Sequence, residues 1–284
     1  MIRLGCHSKN FGPDTPENTL SFIQKLGFEY VSIDPDTIKH AEAVANPEKT
    51  AQHTKDLLEK FGLQAVEYIM GGLRADGKGY SAAELSASTE DAVFNDFDKV
   101  CKYAKLAGFS SVMGSAGEVV KDLGYERTVE NTARTFQKLV QISKDNGVVF
   151  NVEPGQRSIL NSPQKALDMV QRVSGLTYTL DILHFQVHGY PTEESLKLLP
   201  YASHMHARQA ATGWNKCPVE FGEIDYDLVV KRLRGMFWDG VITMEFWLTP
   251  PELAGKMSAV EQTIVMRYQL KQLIRKYWSG MLIG

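Results

Sequence analysis

Eight short β-favouring runs, each followed by a stretch with helical periodicity, are the feature that most restricts the fold. The runs are IRLGCH, EYVSID, LQAVEYIM, FSSVMG, VVFNVE, LTYTLD, ASHMHAR and VITMEFW. Between them, Val93, Phe97, Val100, Cys101 and Ala104 keep a 3.6-residue period, as do Val129, Ala133, Phe136 and Val140. Thr15–Pro16 and Ser162–Pro163 read as an N-cap followed by proline at the first helical position. Glycine falls just past several of the helical stretches, at Gly27, Gly62, Gly108, Gly147, Gly175 and Gly240. No Pro/Gly/Ser-rich linker breaks the series. Strand–helix alternation of this kind predicts an α/β fold, a single (β/α)8 barrel domain over residues 1–284. A doubly wound sheet is the alternative.

Strand side chains alternate between two faces. In LTYTLD, Leu176, Tyr178 and Leu180 oppose Thr177, Thr179 and Asp181. In VVFNVE, Val148, Phe150 and Val152 oppose Val149, Asn151 and Glu153. In SHMHAR, Met205 and Ala207 oppose His204, His206 and Arg208; in VITMEF, Ile242, Met244 and Phe246 oppose Thr243 and Glu245. One face in each strand is apolar and suits packing beneath helices. The other becomes polar towards the C-terminal end, which in a barrel points inward at the ligand-binding rim.

Four successive strands thus deliver Glu153, Asp181, His206 and Glu245 to one rim. Two carboxylates ~4 Å apart repel by roughly 4 kcal/mol at an effective dielectric near 20. A typical domain has only about 5–15 kcal/mol of stability in total. The charge therefore needs a proton, a basic side chain or a cation. Three oxygen donors and an imidazole suit a divalent metal, Mn²⁺ first, with Mg²⁺, Co²⁺ or Zn²⁺ as alternatives. A buried ion-pair network using Arg157, Arg208 and Lys216 is the competing reading. His184, three residues past Asp181, reaches the site only if the strand ends at Asp181 and the chain turns back over the rim. There it would hold a substrate oxygen or shuttle a proton.

The segments NVEPG, LDILH, HMHAR and TMEFW, in this order, resemble the xylose-isomerase-like TIM barrels (the AP endonuclease 2-type barrel), most strongly over residues 148–247. The resemblance implies metal ligands Glu153, Asp181, His206 and Glu245, with His184 and Arg208 contacting substrate. It further implies that the metal chelates a carbonyl and the adjacent hydroxyl, while Glu153 or Glu245 moves a proton through an enediolate. The expected activity is a metal-dependent isomerase or epimerase of a keto-sugar, polyol derivative or small hydroxy-carbonyl compound. A lyase of the inosose- or dehydroshikimate-dehydratase kind is the alternative, and a non-catalytic sugar-binding subunit the second alternative. Ketose 3-epimerases carry a second Glu six residues past the first ligand and an Arg six past the metal His. Ile159 and Thr212 stand at those places here, which weakens the epimerase reading.

His7 and Glu67, at the ends of the first and third strands, are expected to line the substrate pocket, with Trp214 in the loop after the seventh. His204 reads as a core histidine one layer below His206. Asp225 in FGEIDY is expected to cap the following helix. A net charge of −3 gives no electrostatic footprint for nucleic acid or an anionic membrane. Three widely spaced cysteines argue against a disulfide framework. With no apolar leader or membrane-length run, a cytoplasmic protein with a small carbohydrate-like substrate is expected. The apolar tail, residues 277–284, is expected to pack across the barrel bottom or to make a homo-oligomer contact.

Overall fold

The computed structural model describes residues 1–12, 14–70, 82–86, 88–246 and 257–278. Its strands are β1 (Arg3–His7), β2 (Tyr30–Ile33), β3 (Gln64–Ile69), β4 (Ser111–Ser115), β5 (Val149–Glu153), β6 (Thr177–Asp181), β7 (Ala202–Ala207) and β8 (Val241–Met244). They pair in sequence order, all parallel, and β8 returns to β1 to close the barrel. The predicted barrel is therefore found, and the doubly wound sheet is not.

Helices α1 (Pro16–Lys25), α2 (His40–Ala45), α3 (Pro47–Phe61), α4 (Glu90–Ala107), α5 (Gly124–Asp145) and α6 (Pro163–Arg172) lie between the first six strands. Two short helices, α7 (Leu183–Gln186) and α8 (Thr192–Ser195), follow β6; α9 (Tyr226–Gly235) and α10 (Ala259–Trp278) complete the ring. The caps read from sequence are present. Thr15 accepts from the Asn18 N–H at 3.2 Å, Ser162 from Lys165 at 3.3 Å, and Asp225 from Leu228 at 2.9 Å. Gly108 ends α4 with φ +94°, a left-handed conformation that a side chain would strain.

The outward strand faces meet the helices as their parity requires. Phe150 packs edge-on against Phe97 of α4 and Phe136 of α5, with ring centroids 5.4 and 5.7 Å away. Tyr178 buries its ring and donates its hydroxyl to the Ala166 carbonyl of α6 at 2.6 Å. The inward faces build something different, a polar layer of Glu67, Ser111, Asn151, Thr179 and His204 beneath the rim, each buried. The cysteines are free and buried. Among the described residues no helix is long and apolar enough to cross a membrane. Trp247, which closes the eighth predicted run, and residues 279–284 of the tail lie outside the described residues.

Candidate metal centre

Parallel register sets the site. Asp181 at the end of β6 is the lateral neighbour of His206 in β7, and His206 that of Thr243 in β8. The Glu245 N–H donates to the Ala207 carbonyl at 3.1 Å, carrying the alignment one step past β8. Glu153 ends β5. One donor atom from each of Glu153, Asp181, His206 and Glu245 lies within 4.8 Å of every other. Bonds of about 2.1–2.3 Å place opposed ligands of one ion about 4.2–4.6 Å apart, so small side-chain movements would enclose a divalent cation.

The donor chemistry fits as well. His206 Nδ1 lies 2.9 Å from Glu153 Oε1 and 3.0 Å from Glu245 Oε2, so the imidazole turns that nitrogen to the carboxylates. Burial alone would lower the His206 pKa. The charge of Glu245 and the close carboxylates of Glu153, Glu245 and Glu67 overcome it and raise it well above the ordinary histidine value. The carboxylates respond in kind. Burial pushes Glu153 and Glu245 up, but His184 and His206 hold Glu153 low, and Arg208 and His206 hold Glu245 low. Both are ionised at neutral pH.

Arg208 joins this group. Its Nε donates to Asp181 Oδ2 at 2.6 Å and its Nη2 lies 3.1 Å from Glu245 Oε2. Asp181 Oδ1 accepts from the Leu183 N–H at 2.9 Å, opening α7 directly after β6. That turn folds His184 back over the rim, as its spacing from Asp181 requires. His184 Nε2 stands 3.8 Å from Glu153 Oε1, 3.9 Å from Asp181 Oδ2 and 3.3 Å from Arg208 Nη2. Of the basic residues in the competing network, Arg208 is in the cluster and Arg157 is not: Arg157 pairs with Glu118 and its side chain is 86% exposed.

His7 is buried at the end of β1, its ring edge-on to His206 at 5.8 Å. Its Nδ1 accepts the Lys9 N–H at 3.0 Å, which assigns the ring proton to Nε2. Burial lowers its pKa, against the opposing charge of Glu245, and keeps the ring neutral. Trp214 stacks on Phe221, centroids 6.1 Å apart, and is 42% exposed. It makes no hydrogen bond or ring contact with the four donors among the described residues. A cavity of about 620 Å³ opens between the loops after β1 and β2, lined by Ser8, Lys9, Phe11, Phe22, Asp34 and Asp36 among others. None of the four donors lines it.

Glu67 departs from expectation. The sequence places it at the end of the third strand, but β3 continues two residues further to Ile69, so Glu67 sits a layer deeper and is fully buried. Lys216 is the residue sequence reading undervalued. It is 6% exposed, with its backbone at φ +54°, in the field of Arg208, Glu245 and Asp181. Neither its left-handed backbone nor its burial leaves a mark in a loop sequence.

The model of the family described as "Xylose isomerase-like TIM barrel" matches residues 20–262, and the chain belongs to that family. A sequence comparison with curated proteins finds no match. Among solved structures the chain is similar to a D-allulose 3-epimerase from Methylomonas sp. (16% identity, 95% of this chain and 96% of that one, TM-score 0.73). It is also similar to an L-ribulose 3-epimerase (15%, 100% and 99%, TM-score 0.73). A third is a probable 3-DHS dehydratase from Bacillus anthracis (14%, 93% and 98%, TM-score 0.69). At these identities the likeness establishes the fold.

Proposed function

We propose that the chain is a divalent-metal-dependent isomerase or epimerase acting on a keto-sugar, a polyol derivative or a small hydroxy-carbonyl compound. The convergence of Glu153, Asp181, His206 and Glu245 from four consecutive strands carries this reading. Those residues would hold the ion, with Mn²⁺ the first choice for three oxygen donors and one imidazole. When bound, the ion supplies Lewis acidity that makes a proton next to a substrate carbonyl easier to remove.

The chain's own groups do the rest. Glu153, with its side chain 19% exposed, is the more accessible carboxylate and can accept a proton from substrate carbon; Glu245, at 7%, faces it across His206 and can return one. His184, its side chain 13% exposed, reaches over the same space and is suited to hold a substrate oxygen. His7 offers a neutral N–H from the β1 side. Arg208 keeps Asp181 and Glu245 oriented. Trp214 would wall the outer rim.

Elimination is the second reading, favoured by two positions. Ile159 is buried, and Thr212 spends its N–H and hydroxyl on Glu223 at 3.0 and 3.1 Å. Neither supplies the charged group expected of a ketose 3-epimerase. Incubation of the Mn²⁺-loaded protein with candidate keto-sugars in D₂O tests both. Deuterium at carbon without loss of water supports isomerisation, and loss of water supports the lyase. Tight sugar binding without exchange would leave only a binding subunit.

A further inference from the structure

The fully buried Glu67 has its two carboxylate oxygens in unlike surroundings. Oε1 accepts from Thr179 Oγ1 at 2.5 Å, Asn151 Nδ2 at 2.9 Å and Ser111 Oγ at 3.2 Å. Oε2 has no hydrogen-bond partner of that kind and faces His206 Nε2 at 3.5 Å, with His204 Nε2 further off at 3.8 Å. His206 Nε2 is likewise enclosed and makes no other hydrogen bond. An enclosed acceptor and an enclosed ring nitrogen are both costly to leave unsatisfied. At 3.5 Å the two stop just short of a hydrogen bond, and a proton on Nε2 with a slight approach of the carboxylate would satisfy both.

We propose that Glu67 is the positioning residue that holds a proton on His206 Nε2, so that a divalent cation would take the place of the Nδ1 proton that faces Glu153 and Glu245. This role rests on the metal reading above. It follows the general rule that a carboxylate behind a ligating histidine fixes its tautomer and its orientation. The donors around Oε1 make the arrangement directional. Asn151 Oδ1 accepts from Thr177 Oγ1 and from Ser203 Oγ, both at 2.6 Å, so the amide is locked with its NH₂ towards Glu67. Three donors therefore converge on one oxygen of Glu67, and only an acceptor fits there.

Glu67→Gln is close to isosteric, yet this directionality gives it a specific effect. The glutamine oxygen must take the Oε1 place, which sets its NH₂ against His206 Nε2. The imidazole then has to present a lone pair at Nε2 and carry its proton on Nδ1, where a cation needs the lone pair. Metal affinity of the purified, chelator-stripped full chain is measured by titration with Mn²⁺, and the His206 tautomer by ¹⁵N NMR with diamagnetic Zn²⁺. We expect one ion per wild-type chain, the Nε2–H tautomer, and an affinity loss of about 10–100-fold in Glu67→Gln with cooperative unfolding retained. Equal affinity in the variant, or wild-type His206 ligating through Nε2, overturns the role. So does uptake of two ions per chain, which would make Glu67 a ligand itself. Because the wild-type tautomer is read directly, a variant that fails to fold does not shelter the proposal. Absence of any ion on the wild type refutes the metal reading instead, and this role with it.

Discussion

Arg208 and Asp181 are joined by a 2.6 Å hydrogen bond from Nε to Oδ2, and both side chains are almost completely enclosed. The pair exists because β6 and β7 lie side by side, with Asp181 opposite His206 two residues before the arginine. A buried pair of this kind gives little net stability, but losing one partner leaves an uncompensated charge.

Arg208→Met is accordingly expected to destabilise the ion-free protein by about 3–5 kcal/mol. Added Mn²⁺ should recover part of that loss, since an ion held as proposed would neutralise Asp181 and Glu245. Urea unfolding with and without the ion checks this. Arg208→Lys should recover little, because an ammonium cannot bridge both carboxylates as the planar fork does.

Glu153→Gln and Asp181→Asn should each abolish metal retention, each replacing one of the three anionic donors by a neutral amide. Elemental analysis by mass spectrometry of the purified variants beside the wild type is the measurement. A wild-type protein without stoichiometric divalent ion would remove the basis of the proposed chemistry.

Lys216 sets a pH dependence. Burial, and then the positive charge of Arg208, lower its pKa to about 8, against about 10.4 for a free lysine. The unfolded chain thus holds the extra proton between these values. Stability from this group is fully present above about 10.4 and is lost as pH falls through about 8. Lys216→Met should be more stable than wild type at pH 7 by on the order of 1–3 kcal/mol, with a flatter profile between pH 8 and 10. Denaturant midpoints across that range decide it.

Gly222 packs where no side chain fits. A Cβ there would lie 2.1 Å from Gln209 Oε1 and 2.6 Å from Gln209 Cβ. Gln209 in turn braces the loop after β7 through both backbone groups of Ile224, at 3.1 and 3.2 Å. Gly222→Ala should cost about 1–3 kcal/mol. The same substitution made on a Gln209→Ala background should cost less, a coupling that a double-mutant cycle measures.

How far the sequence could be read depended on whether side-chain period or strand length carried the information. Parity alone brought Glu153, Asp181, His206 and Glu245 to one rim, because a period of two leaves no choice of face once the strand is recognised. It failed for Glu67, whose face was right and whose depth was wrong, since Tyr68 and Ile69 extend β3 beyond it. The return of His184 followed from one inference about where β6 ends. The pairing of Arg208 with Asp181 needed the register between two strands, and the burial of Lys216 needed the path of a long loop. Neither is written in a local pattern.

The hydrogen bonds from Ser203 through Asn151 to Glu67 form a thread along the barrel axis, with an exposed residue at its far end. The closed floor of the molecule is therefore not a neutral place to engineer. Removing the Ser203 hydroxyl would leave Thr177 alone to hold the Asn151 amide, and the loosening would be passed to Glu67. Homologues that change one bead of this thread should be found to have changed its neighbours too.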